Sequence, residues 1–532
     1  MLKNGKEIVI VGGGTAGWLT ALTAQHYMPY SNVTLIESEE IGILGAGEGS
    51  TPQLVELFKI LNIPLSEVVN LTGATIKNGI KFTGWNGPDE LLDPINKNYY
   101  YHNFGGLDNQ ITMEKLDYKN TFNKYPLTFF QALYHKISGF EFDVSSILNE
   151  RNKTPFIYTG LGSSFDDPIT PYTGIASYGI HFDASHLALF LKNKGVDRGI
   201  KHIEGKVVDF KTDTDNDITA VILEDGSKID VDFIFDCSGF KRLIIGNFYK
   251  APWKSYSSDL PVNRALPFFL PQEDPNNIPT YTESIAMKYG WMWKIPLQHR
   301  YGCGYVFDSN LVSEEDARKE IEDYLGFEPQ YPREDKGSFK FDAGYYETPW
   351  VNNCISVGLS SGFIEPLEAT SIWQSITVLQ EALHDRYRLL KRTPEIINKF
   401  NRKMCKWNSD ISDFIYMHYM GNKSDTEFWT RFKDPNKVPE KVSTFLKNWL
   451  EAPVAYDEFF GTAGYLSWVI VAWFSGLIDS SIITEFMDTN NHSFINANYF
   501  MDMRYKQREK ARMCLTHRYF IDEMNRQNYD KL

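Results

Sequence analysis

The feature that most constrains this chain is a glycine run, Gly12-Gly13-Gly14-Thr15-Ala16-Gly17, set between two segments of different character. Before it, Lys6 to Val11 is apolar and β-branched, as a buried strand requires. After it, Trp18 to His26 reads as a helix and Val33 to Glu37 as a second strand. Strand, glycine turn, helix and strand make a βαβ opening. Each glycine of the GxGxxG spacing then has its own task. Gly12 permits the tight turn, Gly14 lets a pyrophosphate approach the backbone, and Gly17 lets helix and strand pack closely. Thr15 and Ala16 open the helix, whose free amides and dipole favour phosphate. Glu37, 20 residues after Gly17, ends the second strand, where a carboxylate can accept hydrogen bonds from ribose hydroxyls. A glycine turn without a ligand is the plain alternative. The turn, its flanking elements and the acid together argue for a bound dinucleotide.

The same residues suit NAD or FAD, and two later segments favour FAD. Asp236-Cys237-Ser238-Gly239 and Gly358-Leu359 each end a strand able to return to the first sheet, with glycines that allow close approach. Glutathione-reductase-like flavoproteins have this interrupted layout. The expected fold is therefore α/β, a glutathione-reductase-like FAD-binding fold with an inserted β-rich substrate region and a mostly helical C-terminal region. Composition places the boundary near residue 393, giving 1–393 for the FAD-binding part and 394–532 for the helical part. Strands are expected at 207–210, 218–223, 228–231, 233–235, 291–296, 302–307 and 354–357. Helices are expected at 181–193, 370–390, 407–420, 441–450, 464–474 and 499–528. Asp183 or Ser185 would cap the first of these. Residues 66–173 read as irregular excursions.

Bulk properties exclude several classes of function. The formal charge is −14 and there is no long Lys/Arg block, which argues against nucleic acid and anionic membranes as partners. The 5 cysteines are scattered and lack CxxC spacing, so neither a zinc site nor a disulfide framework is expected. A reducing, cytoplasmic setting fits best. No signal peptide precedes the first strand, and the apolar stretch 465–474 is too short to span a bilayer. No metal is called for. Aromatic residues make up 15% of the chain, suiting large cores or a pocket for flat molecules.

Several motifs together resemble the flavin-dependent tryptophan halogenase family. Gly47-Glu48-Gly49-Ser50-Thr51-Pro52 is similar to that family's flavin strap, and Trp291-Met292-Trp293-Lys294-Ile295-Pro296 matches its WxWxIP motif. His181-Phe182-Asp183-Ala184, Asp236-Cys237-Ser238-Gly239-Phe240 and Gly362-Phe363-Ile364-Glu365-Pro366-Leu367-Glu368 also look familial. The resemblance implies an enzyme of monooxygenase type that takes reduced FAD from a separate flavin reductase. With O2 and a halide it makes hypohalous acid, which travels through a tunnel to an electron-rich aromatic ring, indole-like or phenolic. A single complete GxGxxG fits that outside supply of reduced flavin. A homodimer is carried as one option for assembly.

By the same resemblance, Lys77 captures or orients hypohalous acid. The chemistry needs an amine in a water-poor passage. The plain alternative is a solvated lysine, and Lys81 is its nearest competitor. Glu368 would stabilise the cationic ring intermediate and take its proton. Its alternative is helix capping, and Glu365 is the neighbour to distinguish. The amides of Thr370 and Ser371 would hold the halide. Leu359 and Ile372 would touch the isoalloxazine. Gly47, Glu48 and Ser50 of the strap, with Val207, Asp236 and Gly239, complete the cofactor set. Trp291 and Trp293, on one face of a strand, would bar substrate from the flavin; core packing explains them equally well.

The sequence also departs from the family pattern. Ala369 stands where Ser is frequent, Ser371 where Gly is frequent, and Gly49 replaces Ala or Ser in the strap. The change at 371 bears on the room around the halide, so chlorination, bromination and iodination all stay open. An aromatic hydroxylase on the same fold is the enzymatic alternative. A flavin-binding relative without activity is the other.

Overall fold

The computed structural model describes residues 5–38, 47–87, 98–104, 144–158, 169–171, 177–332, 335–451, 461–478, 481–482, 485, 489 and 497–529. Most of the segment from Asp89 to Thr173 lies outside the described residues. The chain forms two compact units, each assembled from three separate segments. The first comprises 1–73, 182–261 and 341–409; the second comprises 74–181, 262–340 and 410–532.

A six-stranded sheet runs through the first unit in the order Lys201–Glu204, Asn32–Glu37, Glu7–Val11, Phe233–Asp236, Cys354–Ser356, Trp350–Val351. The first five strands are parallel and the last is antiparallel. Parallel strands are covered on both faces, hence their continuous apolar runs. Val9 and Val11 join Ile218, Val221 and Ile234 in a cluster with the three-stranded sheet 207–212, 218–223 and 228–230. Alternating with them, Ile8 and Ile10 are fully buried and point to the opposite face. The helix Thr15–Tyr27 buries every residue from Gly17 to Ala24 and packs against Ala184–Asp197 and Thr370–Leu383. Gly195 makes one of these approaches close, since a Cβ there would meet the Trp18 ring at 2.7 Å. Register aligns the strand ends: Val11 lies opposite both Ile36 and Asp236, and Asp236 opposite Ser356. Ligands of open parallel sheets bind beyond such carboxyl ends.

The second unit carries a seven-stranded sheet in the order Phe339–Lys340, Arg264–Pro271, Arg300–Phe307, Gly290–Pro296, Tyr281–Ala286, Gly79–Thr83, Tyr99–Asn103. It is antiparallel except where Tyr281–Ala286 meets Gly79–Thr83. One cluster includes Leu266, Phe268, Met292, Tyr305 and Phe307, together with Ala317 and Ile321 of the helix Glu314–Leu325. Another is aromatic: Trp85 lies within 6.4 Å of Trp291, Tyr419 and Trp429, ring centre to ring centre. The indole N–H groups of Trp85 and Trp429 donate to the carbonyls of Ser284 and Met287 at 3.1 and 2.7 Å, which lets both rings be buried without an orphaned donor.

Three expected helices have different bounds, each for an identifiable physical reason. The helix expected from His181 starts at Ala184, because Gly179–Asp183 is a strand and the Asp183 carboxylate accepts from the amides of Ser185 and His186. The helix expected at 370–390 breaks after Leu383, and Asp385 caps a second one, Arg386–Lys391. The helix expected at 499–528 is two, Ala497–Met513 and His517–Tyr529, with the strand Cys514–Thr516 between them. Lys153 causes that break. Its ammonium donates to the carbonyls of Ala511, Arg512 and Cys514 at 3.0, 3.0 and 2.8 Å, and Cys514–Thr516 pairs with Lys153–Tyr158. A cation capping the last carbonyls ends a helix favourably. Among the described residues all 5 cysteines are unpaired thiols, and no helix is long and apolar enough to cross a membrane.

Candidate active site

In the first unit the glycines of the turn divide as their spacing requires. Gly12 has φ +120°, and a Cβ there would strike the Cys237 carbonyl at 2.1 Å. A Cβ on Gly17 would strike the Gly12 carbonyl at 1.9 Å, the close approach that only glycine allows. A Cβ on Gly14 would meet nothing within 4 Å, so that backbone faces open space. No side chain caps the helix that follows, leaving the first amides, from Thr15 and Ala16 onward, facing outward. Glu37 lies over the turn, its carboxylate oxygen 1.6 Å from where a Gly13 Cβ would sit. Lys192 donates to Glu37 Oε1 at 2.7 Å, and His202 Nε2 lies 2.7 Å from the same oxygen. Spacing marks Glu37 in the sequence, whereas these partners pair with it over long range and leave no spacing signal. The Gly205 amide donates to the Glu37 carbonyl at 2.8 Å, which brings the start of the strand Val207–Thr212 beside the turn.

Two further strand ends converge on this place. Gly358, at φ +71°, approaches so closely that a Cβ would lie 2.7 Å from that of Ala16. The Gly239 amide donates to Ser360 Oγ at 2.9 Å, tying the turn after Phe233–Asp236 to the turn after Cys354–Ser356. Asp236 is fully buried, and its carboxylate accepts from Ser238 N and Oγ and from the amides of Ile244 and Ile245, at 2.5 to 3.1 Å. That carboxylate is committed to shaping the turn that carries Gly239. Leu359 is half-buried and Ile372 is 8% exposed. Gly47–Gly49 is a short strand, and Ser50 and Thr51 are buried ahead of the helix Pro52–Ile60. Burial, then the nearby Asp183 carboxylate, raises the Glu48 carboxyl to about 7.

The helix Thr370–Leu383 begins unusually. Glu368 (φ 64°) and Ala369 (φ 54°) are consecutive left-handed residues, and no side chain caps the helix. Non-glycine residues adopt this conformation at a cost of roughly 1–3 kcal/mol each, a cost found mainly where function demands it. The double turn buries the Glu368 side chain to 6% exposure and leaves the first amides of the helix without a capping group. Phe363, Ile364, Thr370, Ser371, Gln374 and Trp407 line a narrow crevice at that helix start. Gln374 donates to Asn408 Oδ1 at 2.6 Å, fixing one wall. Glu365 is fully buried, so both acids of this segment are enclosed.

In the second unit Lys77 ends the three-residue strand Thr75–Lys77 and is 1% exposed. Its ammonium lies 5.1 Å from the centre of the Phe104 ring. Lys81 instead pairs with Glu283 at 3.3 Å, with 17% of its side chain exposed. Thr75 Oγ1 donates to the Pro296 carbonyl at 2.7 Å, joining the lysine's strand to the end of the Trp291–Pro296 motif. That hydroxyl is also 3.1 Å from His181 Nδ1, and His181 Nε2 is 3.0 Å from Thr282 Oγ1. Burial, then the charge of Lys77, holds His181 well below the usual imidazole range. His517 Nε2 accepts the Ile76 amide at 2.8 Å. Neither histidine carries a sequence signal for this role: His181 stands in the motif His181-Phe182-Asp183-Ala184, and His517 in a stretch whose pattern is only helical. Trp291 and Trp293 do share a face, with ring centres 6.3 Å apart. Gly304 opposite Trp293 leaves room for its ring, which a Cβ would meet at 2.1 Å.

The parallel sheet, the convergent glycine turns and the open helix starts define an α/β fold of the glutathione-reductase-like class. Within that class, this chain belongs to the tryptophan halogenase family, which it matches over residues 7–499. It is 30% identical over 473 residues to tryptophan 7-halogenase RebH of Lentzea aerocolonigenes, covering 85% of this chain and 84% of that one. It is 29% identical over 464 residues to tryptophan 6-halogenase SttH of Streptomyces toxytricini, covering 84% of each. Among solved structures it resembles a flavin-dependent halogenase from Xanthomonas campestris, with TM-score 0.78, 25% identity and 98% of each chain covered. It shares its fold with a tryptophan halogenase from Shewanella frigidimarina, with TM-score 0.83, 23% identity and 98% of each chain covered.

Proposed function

We propose that this chain is a flavin-dependent halogenase of an electron-rich aromatic compound, indole-like or phenolic. The observation that carries the reading is the burial of Lys77: in a chain of this family, the lysine that could have been merely solvated is 1% exposed. Enclosing an ammonium costs several kcal/mol of lost hydration, so a buried lysine is not the solvated surface residue that the plain alternative requires.

The residues of the first unit fit FAD: the open backbone at Gly14, the acid over the turn and the converging glycines at 239 and 358 suit an extended dinucleotide. When bound and reduced, this group with O2 and halide supplies halogen at the oxidation level of hypohalous acid. The uncapped amides at Thr370 and Ser371 hold the halide as an anion at a helix start. Lys77 donates hydrogen bonds that orient hypohalous acid and polarise its O–X bond. The aromatic carbon attacks the halogen, the O–X bond breaks, and hydroxide leaves as water after gaining a proton. A carboxylate, the role that the family resemblance gives to Glu368, takes the ring proton and restores the ring. The balance is ring C–H plus HOX to ring C–X plus water. Trp291 and Trp293 fill space that a substrate ring would otherwise occupy. A hydroxylase needs no such lysine, which disfavours that alternative. Reduced flavin comes from a separate reductase.

The test uses FAD, NADH, a generic flavin reductase and air, with chloride, bromide and iodide offered separately against indole, tryptophan and phenol. We expect a halogenated product by mass spectrometry, reduced at least about a hundredfold in Lys77→Ala. An oxygenated product that forms without halide overturns the proposal.

A further inference from the structure

We propose that His517 is a positioning residue for Lys77, its imidazole standing in for a peptide group that would otherwise hold the lysine's strand. The inference rests on the reading of Lys77 given above.

The strand Thr75–Lys77 pairs with residues 179–181, antiparallel, with Lys77 opposite Gly179 and Thr75 opposite His181. In such a ladder alternate amides point away from the partner. Here the outward amides belong to Ile76 and Asn78. The Asn78 amide donates to the Thr280 carbonyl at 2.6 Å, as in an ordinary ladder. The Ile76 amide donates instead to His517 Nε2 at 2.8 Å. The other ring nitrogen, Nδ1, lies 3.0 Å from the Ile278 carbonyl. A nitrogen that accepts from an amide carries no proton, so the proton is on Nδ1, donated to Ile278. The ring thus accepts from one backbone segment and donates to the other, as a peptide group does. Its tautomer is fixed from both sides.

The local fold brings His517 there. It is the first residue after the Cys514–Thr516 strand, the break that Lys153 enforces, and its own amide donates to the Asn152 carbonyl at 2.9 Å. It is 1% exposed, and burial lowers it to about 4, so it stays neutral near pH 7 and keeps Nε2 able to accept. Without the ring, the Ile76 amide and the Ile278 carbonyl would be buried and unpaired, and the strand would shift to recover partners. Lys77 leaves the backbone one residue beyond the bridged amide. A displacement of about 1 Å at a reacting group costs on the order of a hundredfold in rate.

The test uses the full chain loaded with FAD, with reductase, bromide and indole, and an enolic scavenger in solution. Each reaction yields a ratio of bromine on indole to bromine on scavenger. Lys77→Met should move that ratio toward the scavenger by about tenfold or more. His517→Leu should move it the same way, while total transferred bromine stays within about threefold of wild type. His517→Gln, whose amide can both accept and donate, should restore most of the ratio. Hydrogen exchange at the Ile76 amide should quicken in His517→Leu and not in His517→Gln. If Lys77→Met shifts the ratio and a folded His517→Leu does not, the positioning role is wrong and the lysine reading survives. If Lys77→Met leaves the ratio unchanged, both fall. Should the His517 variants not fold, nitrogen NMR of labelled histidine in the wild type decides. A proton on Nε2 of His517 at pH 7 overturns the bridge, and a proton on Nδ1 alone upholds it.

Discussion

At the scale of single residues, the fold encloses groups that water would normally claim. Lys77, His181, His517 and Asp236 are each 1% exposed or less. For His517 the cost has a measurable sign. Its pKa is about 4 in the fold, against an ordinary value near 6.5 for the unfolded chain. Between those values the unfolded chain binds a proton that the fold refuses. Stability from this residue is therefore complete above about pH 6.5 and falls as pH drops toward 4, by about 3 kcal/mol. Glu48 acts oppositely. Its carboxyl is raised to about 7, so its contribution is complete below its ordinary value of 4.5 and is lost as pH rises through 7. Urea unfolding between pH 4.5 and 6.5 should show the two partly cancelling in the wild type. Glu48→Gln should make stability rise more steeply with pH, and His517→Gln should make it rise less. Identical slopes in all three proteins would contradict the assigned directions.

At the scale of elements, the glycine turn allows a sharp comparison. Gly17→Ala drives a Cβ into the Gly12 carbonyl, so the apoprotein should lose about 1–3 kcal/mol. Gly14→Ala points a Cβ into open space from an extended backbone with φ −73°, so apoprotein stability should stay within about 0.5 kcal/mol of wild type. FAD affinity should nonetheless fall by about tenfold or more, because the methyl occupies the pyrophosphate's approach. Thermal unfolding of the apoprotein and fluorescence titration with FAD read the two effects separately. Equal behaviour of the two variants would contradict that division of the glycines. This turn was legible because spacing alone encodes it: strand, GxGxxG, helix and acid are all local. Helix ends were less legible. Lys153 ends Ala497–Met513 from hundreds of residues away, and no local residue announces it. Lys153→Met should therefore weaken the 514–516 junction by about 1 kcal/mol and quicken amide exchange there. Unchanged exchange would show that the strand pairing alone sets the break.

At the scale of the whole molecule, the chain is legible in outline and not in its interleaving. The sequence shows a dinucleotide fold, a β-rich insertion and helices after about residue 394, and residues 394–419 are one long helix. Composition suggests one boundary near residue 393, whereas contacts group three segments into each compact unit. Returns of the chain depend on pairings such as Val11 with Asp236 and Asp236 with Ser356, which leave no periodic trace. The proposed roles divide the same way: motifs mark Lys77, Glu368 and the two tryptophans, whereas the bond of Lys192 to Glu37 and that of the Ile76 amide to His517 leave no motif. In the proposed reaction an aromatic ring receives oxidised halogen, not oxygen. One measurement separates these directly: the mass spectrum of indole products formed with reduced FAD, bromide and isotopically heavy O2. A halogenase gives a product bearing bromine and no heavy oxygen, and none without bromide. A product carrying heavy oxygen that forms equally well without bromide would contradict the proposed reaction.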